Sequence, residues 1–316
     1  MTPSCRNGTL TTPTTPGTID QVTGFDGWKT AARIHTLPAA VVPVLVGSGL
    51  AYGEDVFRWD AFVWALIGAL AIQVAANFAN DASDAKRGAD TEDRLGPPRM
   101  VSLGVISPKQ MWTATWLSIG VAAISGTALT LIAGPVVLVI GIASVVAMLG
   151  YVGGPVPYGY RGFGELFVFV FFGLVATVGS RYVHDMTAPL ASWLLAIPIG
   201  MLVTAILVAN NYRDIDTDRE VGKRTLAVVL GQERTRTFFS FLVYGPFPLI
   251  AVFAVAGWTP FETLFAALLF PFATGPVRII YAKTTGPALI RALKLTAKLH
   301  LWTGIVLASG AAITLA

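Results

Sequence analysis

The chain has 316 residues, of which 54% are hydrophobic and 13% are charged, and its net charge is +4. Soluble domains carry about 25% charged residues, so this composition, with a mean hydropathy of +0.66, argues against a soluble globular protein. The single cysteine, Cys5, excludes an internal disulfide and a cysteine metal site, and the small net charge gives no reason to expect a nucleic-acid partner.

The N-terminal segment is rich in Thr, Pro and Gly, a composition typical of disordered chain. We expect residues 1–27 to form a disordered tail and residues 28–316 to form a single transmembrane domain. The tail lacks a basic start followed by an apolar core, so we expect no cleaved signal peptide.

Apolar stretches of about 20 residues recur along the rest of the chain, and each can cross a hydrocarbon core roughly 30 Å thick. Gly and Pro lie inside several of them, which membrane helices tolerate. The pattern predicts an all-α membrane protein with nine transmembrane helices. The predicted spans are residues 31–53, 60–81, 111–131, 133–152, 163–182, 190–212, 236–257, 260–281 and 297–316.

The 22 Lys and Arg residues are distributed unevenly between the two sides of such a bundle. The N-terminus and the even-numbered loops carry 20 of them, whereas the other side carries only Arg58 and Arg181. Lys and Arg are enriched in cytoplasmic loops. We therefore expect a multi-pass protein of the cell membrane with its N-terminus and even loops in the cytoplasm and its C-terminus outside.

Ten of the 18 acidic residues lie in two of these cytoplasmic segments, where the second and sixth predicted spans end. Each segment carries one Asn and two Asp at spacings of three or four residues, which places the three side chains on one helix face. The triplets are Asn77, Asp81 and Asp84, and Asn210, Asp214 and Asp218. Both faces begin inside an apolar run, where an ionisable residue is by default a functional-site hypothesis.

Two carboxylate clusters beside basic residues suit a lipid diphosphate. Mg²⁺ is commonly held by one or two carboxylates together with substrate phosphates, and Lys or Arg can neutralise the remaining charge. A polyprenyl diphosphate would place its head at the membrane face and its tail in the bilayer, and aromatic rings can stabilise the allylic cation that it yields. The alternative is that these acids are solvated charges at helix ends.

Four separated stretches resemble, in order, the UbiA superfamily of membrane prenyltransferases, and within it the menaquinone-pathway branch that acts on 1,4-dihydroxy-2-naphthoate. They are residues 33–47, 80–107, 157–173 and 210–231. The resemblance implies a bundle of nine helices around a central cavity that opens sideways to lipid. It also implies Mg²⁺-dependent transfer of a polyprenyl group from polyprenyl diphosphate to the naphthoate ring, with release of diphosphate and CO₂, to give demethylmenaquinol.

The resemblance also assigns roles to residues of this chain. The implied Mg²⁺ and diphosphate carboxylates are Asp81, Asp84, Asp214 and Asp218. Lys223 and Arg224 follow the second motif and are candidates for contacting the diphosphate. The amides on or beside the acidic faces are Asn77, Asn80 and Asn210. The broad superfamily has a third Asp where this chain has Gly88, and Asp90 follows two residues later, as in the menaquinone branch.

Two further segments contain candidate binding residues. In "RIHTLP", Arg33 and His35 are candidates for holding the aromatic acceptor, although both can instead mark the start of the first span. In "PYGYRGFGE", Tyr158 and Arg161 belong either to a lid over the site or to an ordinary glycine-rich connector.

Two alternatives remain open from the sequence. One is a superfamily member that uses another acceptor, such as 4-hydroxybenzoate, a chlorin, haem or a glycerol phosphate. The other is a membrane transporter whose aspartates bind an ion, although transporters usually keep such groups near the bilayer midplane. The length of the prenyl chain and the oligomeric state do not follow from the sequence.

Overall fold

The computed structural model describes residues 24–87, 98–153, 157–282 and 286–313. Within these ranges the chain forms thirteen α-helices and no strand. The first six are α1 (Phe25–Ala32), α2 (Pro38–Gly53), α3 (Trp59–Lys86), α4 (Pro108–Ala133), α5 (Pro135–Val152) and α6 (Gly164–Val168). The others are α7 (Ala176–Asp185), α8 (Leu190–Arg213), α9 (Ile215–Glu220), α10 (Leu226–Tyr244), α11 (Pro246–Val255), α12 (Phe270–Ala282) and α13 (Pro287–Ala312). Most of the predicted tail lies outside the described residues, and α1 begins inside it, at Phe25.

Among the described residues, six helical stretches are long and apolar enough to cross a membrane. They are Trp59–Lys86, Pro108–Ala133, Gly164–Asp185, Leu190–Arg213, Leu226–Val255 and Phe261–Ala282. A seventh is added if Phe25–Thr36 and Pro38–Gly53, which meet at an angle of 47°, count as one bent span. Pro38 lies at the first turn of α2, where its missing N–H costs no helical hydrogen bond.

The predicted number of nine transmembrane helices is therefore not confirmed. Two predicted spans correspond to helices that do not qualify: α5 is a shorter apolar helix, and α13 carries basic residues along its first half. Two predicted boundaries also differ, because α10 begins at Leu226 and α13 at Pro287, each ten residues before the predicted start. Charged side chains near both helix starts lower the local hydropathy, and α10 is also kinked at Gly231, whose φ of 73° is not helical.

The bundle packs around α8, which contacts α2, α6, α7, α10, α11 and α13. Close approach depends on small residues, as is common between membrane helices. A Cβ atom built on Gly173 would lie only 2.5 Å from Cα of Gly200 in α8. Any side chain at position 173 would therefore push the Phe169–Val175 π-helical segment away from α8.

Hydrogen bonds fix the two ends of the bundle. At one end, the hydroxyl of Tyr160 donates to Asp84 at 2.7 Å and the backbone N–H of Arg224 donates to the carbonyl of Tyr160 at 3.1 Å. At the other end, Nε of Arg181 donates to Oε2 of Glu54 at 2.6 Å. Both acidic segments thus lie at the first of these ends, which is where a shared site requires them to be.

Candidate active site

Helix α3 carries the first acidic segment to one end of the bundle. It runs unbroken for 28 residues without an internal proline, so Asp81 and Asp84 keep their helical spacing up to its last turn. Asp81 is 1% exposed and Asp84 is 5% exposed. Buried carboxylates need charged or hydrogen-bonding partners, and the partners of these two differ.

Asp84 is held by two side chains from other parts of the chain. The guanidinium of Arg99 forms a short ion pair with Oδ2 of Asp84, and the hydroxyl of Tyr160 donates to Oδ1 at 2.7 Å. Arg99 is itself 6% exposed. Asp84 therefore joins α3 to the loop before α4 and to the connector after α5.

Asp81 instead binds backbone. Its Oδ2 accepts a hydrogen bond from the N–H of Met100 at 3.1 Å, and its Oδ1 accepts one from the N–H of Val101 at 3.0 Å. Both carboxylate oxygens therefore hold the loop that leads into α4. The predicted role of Asp81 as a metal ligand would need one of these oxygens to release its loop contact or to accept a second partner.

The asparagines of the first segment also differ from one another. Nδ2 of Asn77 donates to the carbonyl of Ala32 at 2.9 Å and to Oγ1 of Thr36 at 3.0 Å. Asn77 thus fixes the bent start of the chain against α3. Asn80 is half-buried beside the acids, and Asp90 lies outside the described residues.

The second acidic segment lies where α8 ends and α9 begins. Arg213 reaches both oxygens of Asp214, with Nε to Oδ1 at 2.7 Å and Nη2 to Oδ2 at 2.6 Å. The same Nη2 donates to Oδ1 of Asn210 at 3.0 Å. Arg213 is 7% exposed and Asp214 is 5% exposed, so this is a buried ion pair with fork geometry.

Asp218 and Lys223 close the turn after α9. Nζ of Lys223 lies 3.2 Å from Oδ1 of Asp218, and the backbone N–H of Lys223 donates to the carbonyl of Asp218 at 2.8 Å. Gly222 takes a positive φ of 72°, which allows this tight return. The side chain of Arg224 is exposed at the same end of the bundle.

Tyr160 connects the two acidic segments. Its hydroxyl binds Asp84, and its ring lies 5.0 Å from the guanidinium carbon of Arg87 and 5.3 Å from Nζ of Lys223. Burial and the neighbouring carboxylate of Asp84 raise the pKa of the Tyr160 hydroxyl, which keeps it a hydrogen-bond donor. A continuous series of contacts therefore runs from Asp84 through Tyr160 and Lys223 to Asp218.

The glycine-rich connector brings aromatic rings to this site. Tyr158 stacks on Phe167 with ring centres 3.8 Å apart, and its hydroxyl donates to the carbonyl of Ala147 at 2.5 Å. A Cβ atom at Gly159 would lie 2.7 Å from the carbonyl of Tyr151, so the glycine permits the connector to lie directly against α5. The side chain of Arg161 is exposed.

The two candidates for binding an acceptor lie in the bend between α1 and α2. Arg33 is half-buried and takes a left-handed backbone conformation with φ of 51°, while His35 is exposed. Both lie in the segment between α1 and α2, which is separate in sequence from the two acidic segments. Their predicted role at the acceptor therefore stays a prediction.

The carboxylates are chemically suited to Mg²⁺, which prefers oxygen ligands. In the part of the chain that the structure describes, no three His, Cys, Asp or Glu side chains are grouped closely enough to hold a metal ion. Arg99, Arg213 and Lys223 instead neutralise three of the four predicted ligands. A metal at this site would therefore have to share or replace these cationic partners.

Three of the partner residues were not among the predicted site residues: Arg99, Tyr160 and Arg213. Each had a local signal in the sequence. Arg213 directly precedes Asp214, and both Tyr160 and Arg99 lie in stretches that resemble the prenyltransferase superfamily. What spacing does not reveal is which cation and which carboxylate meet in space.

Comparisons with known proteins agree with this architecture. The UbiA prenyltransferase family model matches residues 40–309. The 1,4-dihydroxy-2-naphthoate octaprenyltransferase of Mycobacterium tuberculosis is 40% identical over 254 residues, covering 80% of this chain and 87% of that protein. The protein of the same name from Escherichia coli is 37% identical over 242 residues, covering 75% and 79%.

Solved structures show the same fold. A UbiA homologue from Aeropyrum pernix K1 superposes with a TM-score of 0.68 at 15% identity, covering 88% of this chain and 97% of that one. A UbiA homologue from Archaeoglobus fulgidus bound to GPP and Mg²⁺ gives a TM-score of 0.65 at 15% identity, covering 90% and 99%. The resemblance found in the sequence is thus confirmed, and the chain belongs to the UbiA prenyltransferase family.

Proposed function

We propose that the chain transfers a polyprenyl group from polyprenyl diphosphate to 1,4-dihydroxy-2-naphthoate, with release of diphosphate and CO₂. The relatives that carry the name of this octaprenyltransferase are 37–40% identical over most of the chain. The observation that carries the proposal in the structure is the meeting of two buried acidic segments at one end of an apolar helix bundle. The Tyr160 and Lys223 side chains join these segments.

The donor diphosphate is the natural ligand for this end of the bundle. We propose that Asp84, Asp218 and Asp214, with Asp81 beside them, hold it through divalent ions, for which Mg²⁺ is our choice. A bound ion would neutralise the diphosphate and make it a better leaving group. Lys223 and Arg224 would place positive charge beside the leaving group, where stabilisation acts mainly on the transition state.

Aromatic side chains of α5, the connector and the helix after it are our candidates for meeting the prenyl group as its bond to oxygen breaks. The rings of Tyr158, Phe167 and Phe171 form a stack with centre distances of 3.8 and 6.0 Å, and Tyr151 meets Tyr158 edge to face at 5.5 Å. Aromatic faces attract cations. We propose that this stack shields the allylic cation until the acceptor carbon attacks.

The remaining predicted residues complete the proposal. Arg33 and His35 are our candidates for the acceptor's carboxylate and ring hydroxyl. Asn80, Asn210 and Arg161 lie beside the acids or in the connector and are proposed as diphosphate contacts. For Asp90, which lies outside the described residues, the same role stays a prediction. In a bundle of nine spans, α5 and α13 would be the two membrane helices whose length or hydropathy falls below that of the other spans.

We further propose that the protein lies in the plasma membrane with the acidic end of the bundle in the cytoplasm. Single cysteines at the exposed positions Glu220 and Asp55, introduced into a Cys5→Ser background, test this orientation. Labelling of position 220 from the cytoplasm and of position 55 from outside is expected. The reverse pattern would overturn the orientation and leave the reaction untouched.

The reaction itself is tested by offering one polyprenyl diphosphate with a panel of acceptors to the purified full chain. We expect product with 1,4-dihydroxy-2-naphthoate and little with 4-hydroxybenzoate, a chlorin, haem or glycerol phosphate. Preference for another acceptor would reassign the chain within its family. Uptake of a metabolite or ion into liposomes without product formation would favour the transporter alternative.

A further inference from the structure

The C-terminal part of the chain carries basic residues without acidic ones. After Glu262 the sequence holds five Lys and Arg and no Asp or Glu. Four of the five lie within the described residues, and all four are exposed: Arg278, Arg291, Lys294 and Lys298. No ion pair to any of these four occurs among the described residues.

Three of these cations share one face of α13. Arg291, Lys294 and Lys298 are spaced by three and four residues, which aligns them along the helix. Gly49, near the Glu54 end of α2, lies against the backbone of Ala308 near the end of α13, and Glu54 marks the end of the bundle far from the acidic segments. The basic face therefore lies near the opposite end of α13, where α12 also ends.

An apolar groove begins beside this basic face. It lies between α12 and α13, has a volume of about 560 Å³, and is lined by Phe272, Leu295, Leu299 and Trp302, with Lys298 on its wall. Its volume falls in the range of about 300–1,000 Å³ that is typical of ligand sites. The groove thus offers apolar walls for a chain and an ammonium group for an anion.

An anionic phospholipid combines these two properties. Lys298 lies near the middle of α13 beside apolar side chains, an environment in which an uncompensated charge is costly, and long side chains can reach toward a headgroup region. Anionic headgroups attract basic residues at the membrane surface. Because this part of the chain supplies no carboxylate, the lipid phosphate is the counter-ion that the surroundings offer.

We propose that the groove between α12 and α13 binds one anionic phospholipid. The phosphate contacts Lys298 and Lys294, with Arg278 and Arg291 nearby, and an acyl chain lies against Leu295 and Trp302. This site lies at the same end of the bundle as the acidic segments but is formed by α12 and α13 and not by α3 and α8, and the proposal does not depend on the prenyl-transfer reaction.

Binding is measured on the purified full chain in detergent with a fluorescent phosphatidylglycerol probe, competed by unlabelled phosphatidylglycerol or phosphatidylcholine. We expect saturable binding of one probe per chain and much stronger competition by phosphatidylglycerol. Each lost cation should weaken binding about fivefold, so Lys294→Gln with Lys298→Gln should weaken it about 25-fold. The matched control, Lys109→Gln with Arg234→Gln, removes two exposed cations elsewhere and should leave binding unchanged.

A second variant tests the groove without altering charge. A Cβ atom at Gly275 meets only Leu295, at 3.7 Å, so Gly275→Phe should fit and fill the groove. Loss of probe binding in this variant is expected. Equal competition by the two lipids on the unaltered chain, which needs no variant, would overturn the proposal. The proposal would also be overturned if the control pair of substitutions weakened probe binding as much as the lysine pair. Displacement of the probe by a prenyl diphosphate would overturn it too, because the groove would then bind the prenyl donor.

Discussion

The hydroxyl of Tyr160 donates a hydrogen bond of 2.7 Å to Oδ1 of Asp84, although the two residues lie 76 positions apart. The ring of the same tyrosine faces Lys223, which pairs with Asp218. One side chain from the connector thus touches a carboxylate of the first acidic segment and a cation of the second. Tyr160 is therefore placed to set the distance between the two halves of the proposed diphosphate site.

Tyr160→Phe should lower kcat while leaving the protein folded. The ring and its contacts with Arg87 and Lys223 remain, and only the hydrogen bond to the Asp84 carboxylate is lost. Hydrogen bonds to charged groups contribute about 1.5–3 kcal/mol, which corresponds to roughly a 10- to 150-fold change in rate. Tyr52→Phe is the control, because that exposed tyrosine lies near Glu54 at the other end of the bundle. Equal kcat values for the two variants would show that the Tyr160 hydroxyl plays no part in the reaction.

The same hydroxyl should make stability depend on alkaline pH. Burial and the Asp84 carboxylate raise the pKa of Tyr160 above its ordinary value of about 10. The stabilisation is therefore fully present below about pH 10 and is lost as the pH rises toward the folded-state pKa. We expect the Tm of the unaltered protein to fall relative to that of Tyr160→Phe between about pH 9 and 11. A Tm difference that stays constant with pH would show that the Tyr160 hydroxyl has the same pKa in the folded and unfolded states.

Asp81→Asn should loosen the loop before α4. The carboxylate accepts N–H groups from Met100 and Val101 on separate oxygens, and an asparagine offers only one oxygen and turns an NH₂ group toward the other donor. We expect a loss of about 1.5–3 kcal/mol in the free energy of unfolding and faster hydrogen exchange at the amides of 100 and 101. Asp26→Asn, on the exposed face of α1, is the control. Unchanged exchange at those amides would contradict the loop contact.

Replacing Lys223 and Arg224 together with Met should lower kcat more than it raises the KM for the prenyl donor. Their charge would act on the departing diphosphate, and loss of such stabilisation costs on the order of 3 kcal/mol, or about a hundredfold in rate. Arg219→Met is the control, because this exposed residue of α9 pairs with Asp216. An unchanged kcat in the double variant would show that Lys223 and Arg224 contact the membrane surface and not the departing diphosphate.

Removal of divalent ions should stop turnover without unfolding the protein. The acids have cationic partners within the chain, Arg99, Arg213 and Lys223, so we expect the fold not to depend on an ion. Excess EDTA should abolish product formation and leave the Tm unchanged, and Mg²⁺ should restore the rate. Full turnover in EDTA would rule out the proposed mode of diphosphate binding.

The positions of the acidic residues could be predicted from the sequence, but their partners could not. Spacings of three and four placed Asp81 and Asp84 on one face, and the structure brings both to the end of α3. The same spacing also grouped Asn77 with them, although its amide binds Ala32 and Thr36. Helical periodicity predicts which face of a helix a side chain lies on, but the contacts of that side chain depend on which other segments pack against this face.

Contacts between residues far apart in the sequence explain why the partners of Asp84 could not be predicted. Arg99 and Tyr160 reach Asp84 from segments 15 and 76 residues away, and no local pattern encodes such distances. Hydropathy identified most spans but missed the starts of α10 and α13, because charged residues follow the kink at Gly231 in α10 and lie in the first half of α13. The basic face of α13, which the sequence marked only as cytoplasmic charge, became interpretable once the groove beside it was located.

The proposed reaction is tested most directly by its stoichiometry. The purified chain is given a polyprenyl diphosphate, Mg²⁺ and dihydroxynaphthoate labelled with ¹³C at its carboxyl group, and three products are counted. The account predicts equal amounts of prenylated naphthalene, free diphosphate and labelled CO₂, because the new carbon–carbon bond replaces the carboxyl group. A prenylated product that keeps its label, or diphosphate release without a prenylated naphthalene, would contradict it.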